Sequence, residues 1–268
     1  HIVVPRLHQS SHAFILQNPD RRIVFMIPYE REFTLIGTTD VALPDGAGYA
    51  PPQASEAEIA YLCTAASRYC AHPVTPADVV WSYSGVRALY DDGSANPSAV
   101  TRDYHLQLDA GDGGRAAPLL SIFGGKITTY RRLAETALAR LAPWFPHTRP
   151  WTHSEPLPGG DFSSFPGLLE ALQRDRELPP LLLARLARRH GTLAHHILRD
   201  VRNERDLGRH FGGGLYECEL RYLVQEEWAR EAEDVLWRRT KCGLHMSEEE
   251  RRGLAEVCLL YTSDAADE

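Results

Sequence analysis

The chain has 268 residues, 43% hydrophobic and 24% charged, with a formal net charge of −7, enough length for one large or two ordinary domains with a real core. No apolar run approaches the roughly 18 to 20 residues of a membrane span, no signal-peptide pattern opens the sequence, and the net acidity argues against nucleic acid, whose phosphates it would repel. Any membrane contact would have to be peripheral. The five cysteines (63, 70, 218, 242, 258) show no CxxC spacing. Cys63 and Cys70, seven apart on a predicted helix, would lie about two turns from each other, too far for a disulfide. Reduced thiols, a cytoplasmic setting and no metal site are the expectation.

Most of the first 150 residues carry strand signals. Ala13 to Gln17, Arg22 to Tyr29 and Phe33 to Val41 are β-rich runs separated by Asn18-Pro19-Asp20 and by Glu30-Arg31-Glu32, which predicts an antiparallel meander. After a loop at 43–53, Ser55-x-x-Glu58 forms a capping box for a helix with Ile59, Leu62, Cys63, Ala66 and Cys70 on its apolar positions. Strands follow near 79–84 and 101–108, then a Gly-Asp-Gly-Gly turn at 111–114 and a strand over 118–123. A helix begins at once with Thr128 and Thr129, carries Tyr130, Ala134, Ala137, Leu138 and Leu141 on one face, and stops at Pro143. A Pro/Gly-rich linker spans 151–165, and helical patterns cover 166–176, 179–190, 192–201 and 215–242. In the last of these Trp228, Trp237, Arg238 and Arg239 read as packing and solvated faces.

Chemistry concentrates at Gly124-Gly125-Lys126. The chain has 27 arginines but only 2 lysines, Lys126 and Lys241. A helix N-terminus carries unpaired N–H groups and partial positive charge, so a lysine there is disfavoured unless an anion is also present. Gly124 and Gly125 would let a ligand approach the backbone, and Thr128 or Thr129 could cap the helix or bond the ligand; the alternative is an ordinary strand-to-helix turn. Arg87 sits among apolar and aromatic neighbours and, if buried, needs a fixed anionic partner, either Asp91 or Asp92 in a structural ion pair or a ligand. Arg102 shares strand parity with Tyr104, Leu106 and Leu108, although an arginine at a strand end also snorkels to water. Two arginines and a lysine together suit a small phosphate-bearing ligand.

The segments "HIVVPR", "AFILQN", "RRIVFMIPYEREFTLIGTTDV", "VVWSYSGVRALYDD", "AVTRDYHLQL", "PLLSIFGGKITTYRRLAETAL" and "LYECELRYLVQEEWAREAEDVLWRRTKCGL" closely resemble the aerobic, FAD-dependent glycerol-3-phosphate dehydrogenases over about residues 1–256. The resemblance implies an α/β (α+β) fold. A partial Rossmann-type FAD domain interleaved with an antiparallel substrate-binding sheet would occupy 1–150, and an all-α C-terminal domain 151–268. It implies oxidation of sn-glycerol 3-phosphate to dihydroxyacetone phosphate, with FAD as cofactor, a membrane quinone as acceptor, peripheral contact with the cytoplasmic membrane, and room for a homodimer. His1 and Arg87 are then the catalytic candidates, Arg102 and Lys126 the substrate-binding ones, and Gly124, Gly125, Lys126, Ile127, Thr128 and Thr129 the cofactor-binding ones. A histidine suits proton removal, whereas an arginine is too weak a base and suits charge stabilisation.

The sequence departs from the family in three places. The G-x-G-x-x-G turn that would hold the FAD pyrophosphate is not in the sequence, which starts at His1 without methionine and reads as a piece of a longer protein, inactive alone. Ala88 stands where the family usually has proline. The stretch 258–268 fits neither the family nor the preceding amphipathic pattern and reads as an artefactual tail. Two rival readings are a glycerol-3-phosphate oxidase using oxygen and a non-catalytic module that binds a phosphometabolite or a partner.

Overall fold

The computed structural model describes residues 1–41, 51–90, 101–111, 116–146 and 149–264; Asp91, Asp92, most of the 43–53 loop and most of the 111–114 turn lie outside them. Two compact units divide the chain, His1–His153 and Ser154–Glu268.

In the first unit the β-rich runs pair antiparallel in the order β2-β3-β4-β1-β5. The strands are β1 (Ile2–Pro5), β2 (Phe14–Gln17), β3 (Ile23–Tyr29), β4 (Phe33–Gly37) and β5 (Trp81–Ser82). The meander forms as expected through β2, β3 and β4, but β4 stops at Gly37, four residues short of Val41, and the strand expected at 79–84 shrinks to β5. Helix α1 (Glu56–Ser67) starts at the Ser55/Glu58 capping box and buries Leu62, Cys63, Ala65 and Ala66 against Ile2, Val4, Leu16, Val24, Met26 and Ile36 of the sheet. Each large aliphatic side chain buried there contributes about 1.5–3 kcal/mol. Cys70 falls beyond the helix, with its Sγ 4.0 Å from Met26 Sδ; Cys63, Cys70, Cys218 and Cys242 are free thiols.

Strands β6 (His105–Asp109) and β7 (Leu119–Phe123) form a separate antiparallel pair. Arg102 lies before β6 and not within it, because Thr101 Oγ1 accepts the Asp103 N–H and turns the chain there. After β7 the chain passes through a 3₁₀ turn, Ile127–Thr129, before helix α2 (Tyr130–Leu141). No residue of α2 is buried among the described residues; Tyr130 and Leu138 are exposed, as are Leu119, Ile122 and Phe123 of β7.

The second unit is mostly helical: α3 (Phe165–Gln173), α4 (Pro180–His190), α5 (Ala194–Ile197), α6 (Glu217–Gln225) and α7 (Glu248–Asp264). It is not all-α, since β8 (His210–Gly212) and β9 (Leu215–Tyr216) form a small hairpin. The single helix expected over 215–242 breaks after Gln225. The Asp234 carboxylate accepts the N–H groups of Arg230 and Glu231, which starts a new, π-helical turn at Asp234–Arg239, and Arg239 takes the carbonyls of Glu227 and Trp228 left open by the break. Likewise 192–201 reduces to a 3₁₀ turn and the short α5, where Arg176 accepts its place at the end by donating to the Leu198 carbonyl. Helix α7 runs through 258–264.

At the centre of this unit the fully buried Glu219 of α6 receives Arg189 Nη1 and His190 Nε2 of α4, both at 3.0 Å from Oε1. His190 Nδ1 lies 3.5 Å from Glu227. Burial alone would raise the Glu219 carboxyl, but the hydrogen bond from His190 and the charge of Arg189 outweigh it and hold it below the usual carboxylate range. A depressed carboxyl contributes stability that is present above its unfolded value, about 4.3, and lost as the pH falls through the folded value. Thermal melts should therefore show the melting temperature dropping as the pH falls below about 4. Glu219→Gln should flatten part of that drop while lowering the melting temperature at pH 7, and Glu219→Ala should cost about 3–5 kcal/mol by leaving Arg189 unpaired.

Candidate active site

The site is organised by the segment that leaves β4, Gly37-Thr38-Thr39-Asp40. At its first residue the imidazole of His1 packs so closely on Gly37 that a Cβ added there would stand 2.2 Å from His1 Cδ2. The ring also stacks on Tyr83, with centroids 4.9 Å apart and planes 2° from parallel. Backbone pairing fixes this arrangement: the His1 nitrogen donates to the Tyr83 carbonyl at 3.0 Å, and the Tyr83 N–H donates back to His1 at 3.1 Å. Burial, then the neighbouring Tyr83 and Glu30, pushes the Tyr29 hydroxyl up to about 12, and burial raises Tyr83 as well. Both phenols keep their protons at neutral pH. Thr39 Oγ1 donates to Glu58 Oε1 at 2.7 Å, tying the segment to the start of α1. Hydrogen bonds from the Ser55 backbone and from Thr39 lower the Glu58 carboxyl.

At the other end of the segment, Asp40 receives two guanidinium groups on one oxygen. Arg87 Nη1 lies 2.6 Å and Arg102 Nη2 3.8 Å from Asp40 Oδ2. Arg87 is therefore not the buried cation that its apolar neighbours suggest: its side chain is 43% exposed, and its carboxylate partner among the described residues is Asp40, 47 residues away in sequence. Arg102 is half-exposed too, so it does not lie on a buried strand face. Since Asp40 follows Gly37 by three residues, their Cα atoms are at most roughly 11 Å apart, which brings His1 and the arginine pair into one neighbourhood.

The Gly124-Gly125-Lys126 run borders the same segments. Gly124 (φ +68°) and Gly125 (φ +101°) occupy the left-handed region that favours glycine. A Cβ on Gly124 would stand 3.1 Å from the Tyr90 nitrogen and 3.5 Å from the Asp103 carbonyl. Lys126 Nζ lies 3.7 Å from Asp103. The threonines do not cap α2: Thr129 Oγ1 instead donates to the Lys126 carbonyl. Ile127 is 89% exposed, so this turn offers an apolar side chain and side-chain-free backbone to a planar ring, a surface that fits a flavin. Asp40, Tyr83 and Asp103 were not marked by the sequence; the signal for Asp40 is an acid just past a strand end in a chain with two arginines in want of a counter-charge.

The arrangement thus holds two arginines on Asp40 and a lysine on Asp103, each pair still open to solvent, with a stacked imidazole and a glycine turn on the bordering segments. A family model described as FAD dependent oxidoreductase matches residues 1–131, and one described as the C-terminal domain of alpha-glycerophosphate oxidase matches residues 150–264. The chain belongs to the FAD-dependent oxidoreductases. Among curated proteins it is similar to the glycerol-3-phosphate dehydrogenase of Pseudomonas aeruginosa, 50% identical over 92% of this chain and 48% of that protein. It is also similar to the aerobic glycerol-3-phosphate dehydrogenase of Escherichia coli, 44% identical over 98% of this chain and 52% of that protein, and to the D-erythritol 1-phosphate dehydrogenase of Brucella abortus, 46% identical over 96% of this chain and 51% of that protein. The chain spans about half the length of the curated relatives it matches. No helix among the described residues is long and apolar enough to cross a membrane.

The contact between Gly37 and His1 gives a test of the imidazole. Gly37→Ala must push the ring off Tyr83, so in the full-length enzyme its effect on turnover should match that of His1→Ala. The double variant should lose little beyond either single change, a non-additivity read from a double-mutant cycle of kcat/KM.

Proposed function

We propose that this chain forms the substrate-facing half of a dehydrogenase that oxidises sn-glycerol 3-phosphate to dihydroxyacetone phosphate. The observation that carries the reading is the convergence of Arg87 and Arg102 on one oxygen, with Lys126 nearby across Asp103. Such a trio recognises a dianion by charge-assisted, bidentate contacts. FAD, when bound, supplies hydride acceptance at N5; Gly124 to Thr129 would hold its ring. In this reading His1, kept in one orientation by Tyr83 and Gly37, removes the proton of the substrate C2 hydroxyl. Arg87 stabilises the negative charge that develops on that oxygen and, with Arg102 and Lys126, holds the phosphate. The stretch 1–150 would interleave with a Rossmann-type FAD domain, and 151–268 would be the helical C-terminal domain. Reduced cofactor would be reoxidised by a membrane quinone through peripheral contact; oxygen is the competing acceptor, and assays with a quinone analogue and with oxygen separate the two.

A second substrate is favoured by a specific observation, the 46% identity to a protein named D-erythritol 1-phosphate dehydrogenase. The same cations suit any terminal polyol phosphate, so kcat/KM for glycerol 3-phosphate against D-erythritol 1-phosphate decides the chain length.

Because the Arg87–Asp40 pair is half-exposed, it contributes at most about 1 kcal/mol to stability. Arg87→Met in the full-length enzyme should leave the melting temperature nearly unchanged and lower turnover roughly a hundredfold or more, with Arg87→Lys recovering only part. A large fall in melting temperature with normal activity of the folded fraction would refute the assignment. For the lysines, Lys126→Ala should weaken substrate use strongly. Lys241→Ala, whose Nζ donates to the Thr240 carbonyl in the second unit, should do little; equal effects in steady-state kinetics would remove Lys126 from the site.

A further inference from the structure

We propose that Asp40 is a positioning residue, which sets the angle at which Arg87 and Arg102 present themselves to a single phosphate. This rests on the reading of the two arginines as substrate contacts. Three separate stretches of chain meet at Asp40 Oδ2: the segment after β4, the run after β5 that carries Arg87, and the residues before β6 that carry Arg102. The 2.6 Å bond from Arg87 Nη1 occupies one of the five N–H donors of a guanidinium. The remaining donors of a planar, rigid group are aimed by that one anchored bond, so the carboxylate decides where the fork points. Without it, two half-exposed cations of like charge would repel and spread over the rotamers open to long side chains.

The charge of Asp40 pulls the other way. A carboxylate near the phosphate position repels the dianion, so on Coulomb grounds alone its removal would tighten binding. With side chains 41–50% exposed around this oxygen, water screens that repulsion, whereas loss of orientation is felt at every arginine contact at once. Positioning therefore outweighs repulsion, and the two effects predict opposite signs.

The experiment uses the full-length flavoenzyme and measures KM for glycerol 3-phosphate, kcat, and competitive inhibition by inorganic phosphate. Asp40→Ala should raise KM and the phosphate inhibition constant together by tenfold or more, with a smaller change in kcat and an unchanged melting temperature. Asp40→Asn, which keeps an acceptor oxygen, should fall between it and the parent. An inhibition constant that stays the same or decreases in both variants overturns the proposal, and so does a loss confined to melting temperature and kcat. Arg87→Met and Arg102→Met serve as the reference. If they weaken phosphate inhibition while the Asp40 variants do not, only the role of Asp40 fails; if they leave it unchanged, the phosphate-site reading fails first.

Discussion

The double register of β1 is the constraint on which the site depends. Ile2 faces Ile36 of β4 on one side and Ser82 of β5 on the other, so the residue just ahead of it can only stand between Gly37 and Tyr83. A slip of one residue on either side would turn Ile2 and Val4 away from the core they share with α1, and that core opposes it with fully buried aliphatic side chains. Apolar packing thereby sets the place of an imidazole that makes no side-chain hydrogen bond of its own to the sheet. The same register directs the exit of β4, from which Thr39 reaches α1 and Asp40 reaches the arginines.

The two units handle charge in opposite ways. In the second, Glu219, Arg189 and His190 are withdrawn from water and paired through Glu219 Oε1, while the buried Oε2 finds no hydrogen-bond partner among the described residues, so the polar contact between α4 and α6 rests on that one oxygen. In the first, Arg87, Arg102 and Lys126 are each matched to a carboxylate but left half in solvent. A buried trio would be saturated and unable to bind a ligand; these groups keep donors free.

Much of this was readable from local signals. The order of the meander, the Ser55 capping box and the helix expected over 179–190, observed as Pro180–His190, follow from short-range pattern, although β4 ends early at Gly37. What failed was what depends on distant residues. Arg87 has a carboxylate partner, Asp40, that strand pairing brings from 47 positions upstream, where a search of neighbouring residues does not look; Asp91 and Asp92 lie outside the described residues. The long helix expected over 215–242 had the right periodicity, but Asp234 offers its carboxylate to the Arg230 and Glu231 amides, and a side-chain cap inside a helical pattern ends one helix and starts another. Thr128 and Thr129 looked like caps, yet the tight turn at Gly124-Gly125 lets Thr129 satisfy the Lys126 carbonyl instead. Neither the residue pattern nor the resemblance marked Asp40 and Asp103, the acids that hold Arg87, Arg102 and Lys126.

The β6–β7 hairpin has a further consequence. Among the described residues its two strands pair only with each other, and β7 turns Leu119, Ile122 and Phe123 to solvent. A two-stranded ribbon by itself is marginal in water, and this one is braced by Tyr90, stacked on His105 of β6 and tilted against Phe123 of β7. The glycine turn and Lys126 hang directly from the end of β7. Firming the ribbon and shaping the turn are therefore linked equilibria: whatever holds the strands holds the turn, and by reciprocity whatever holds the turn firms the strands.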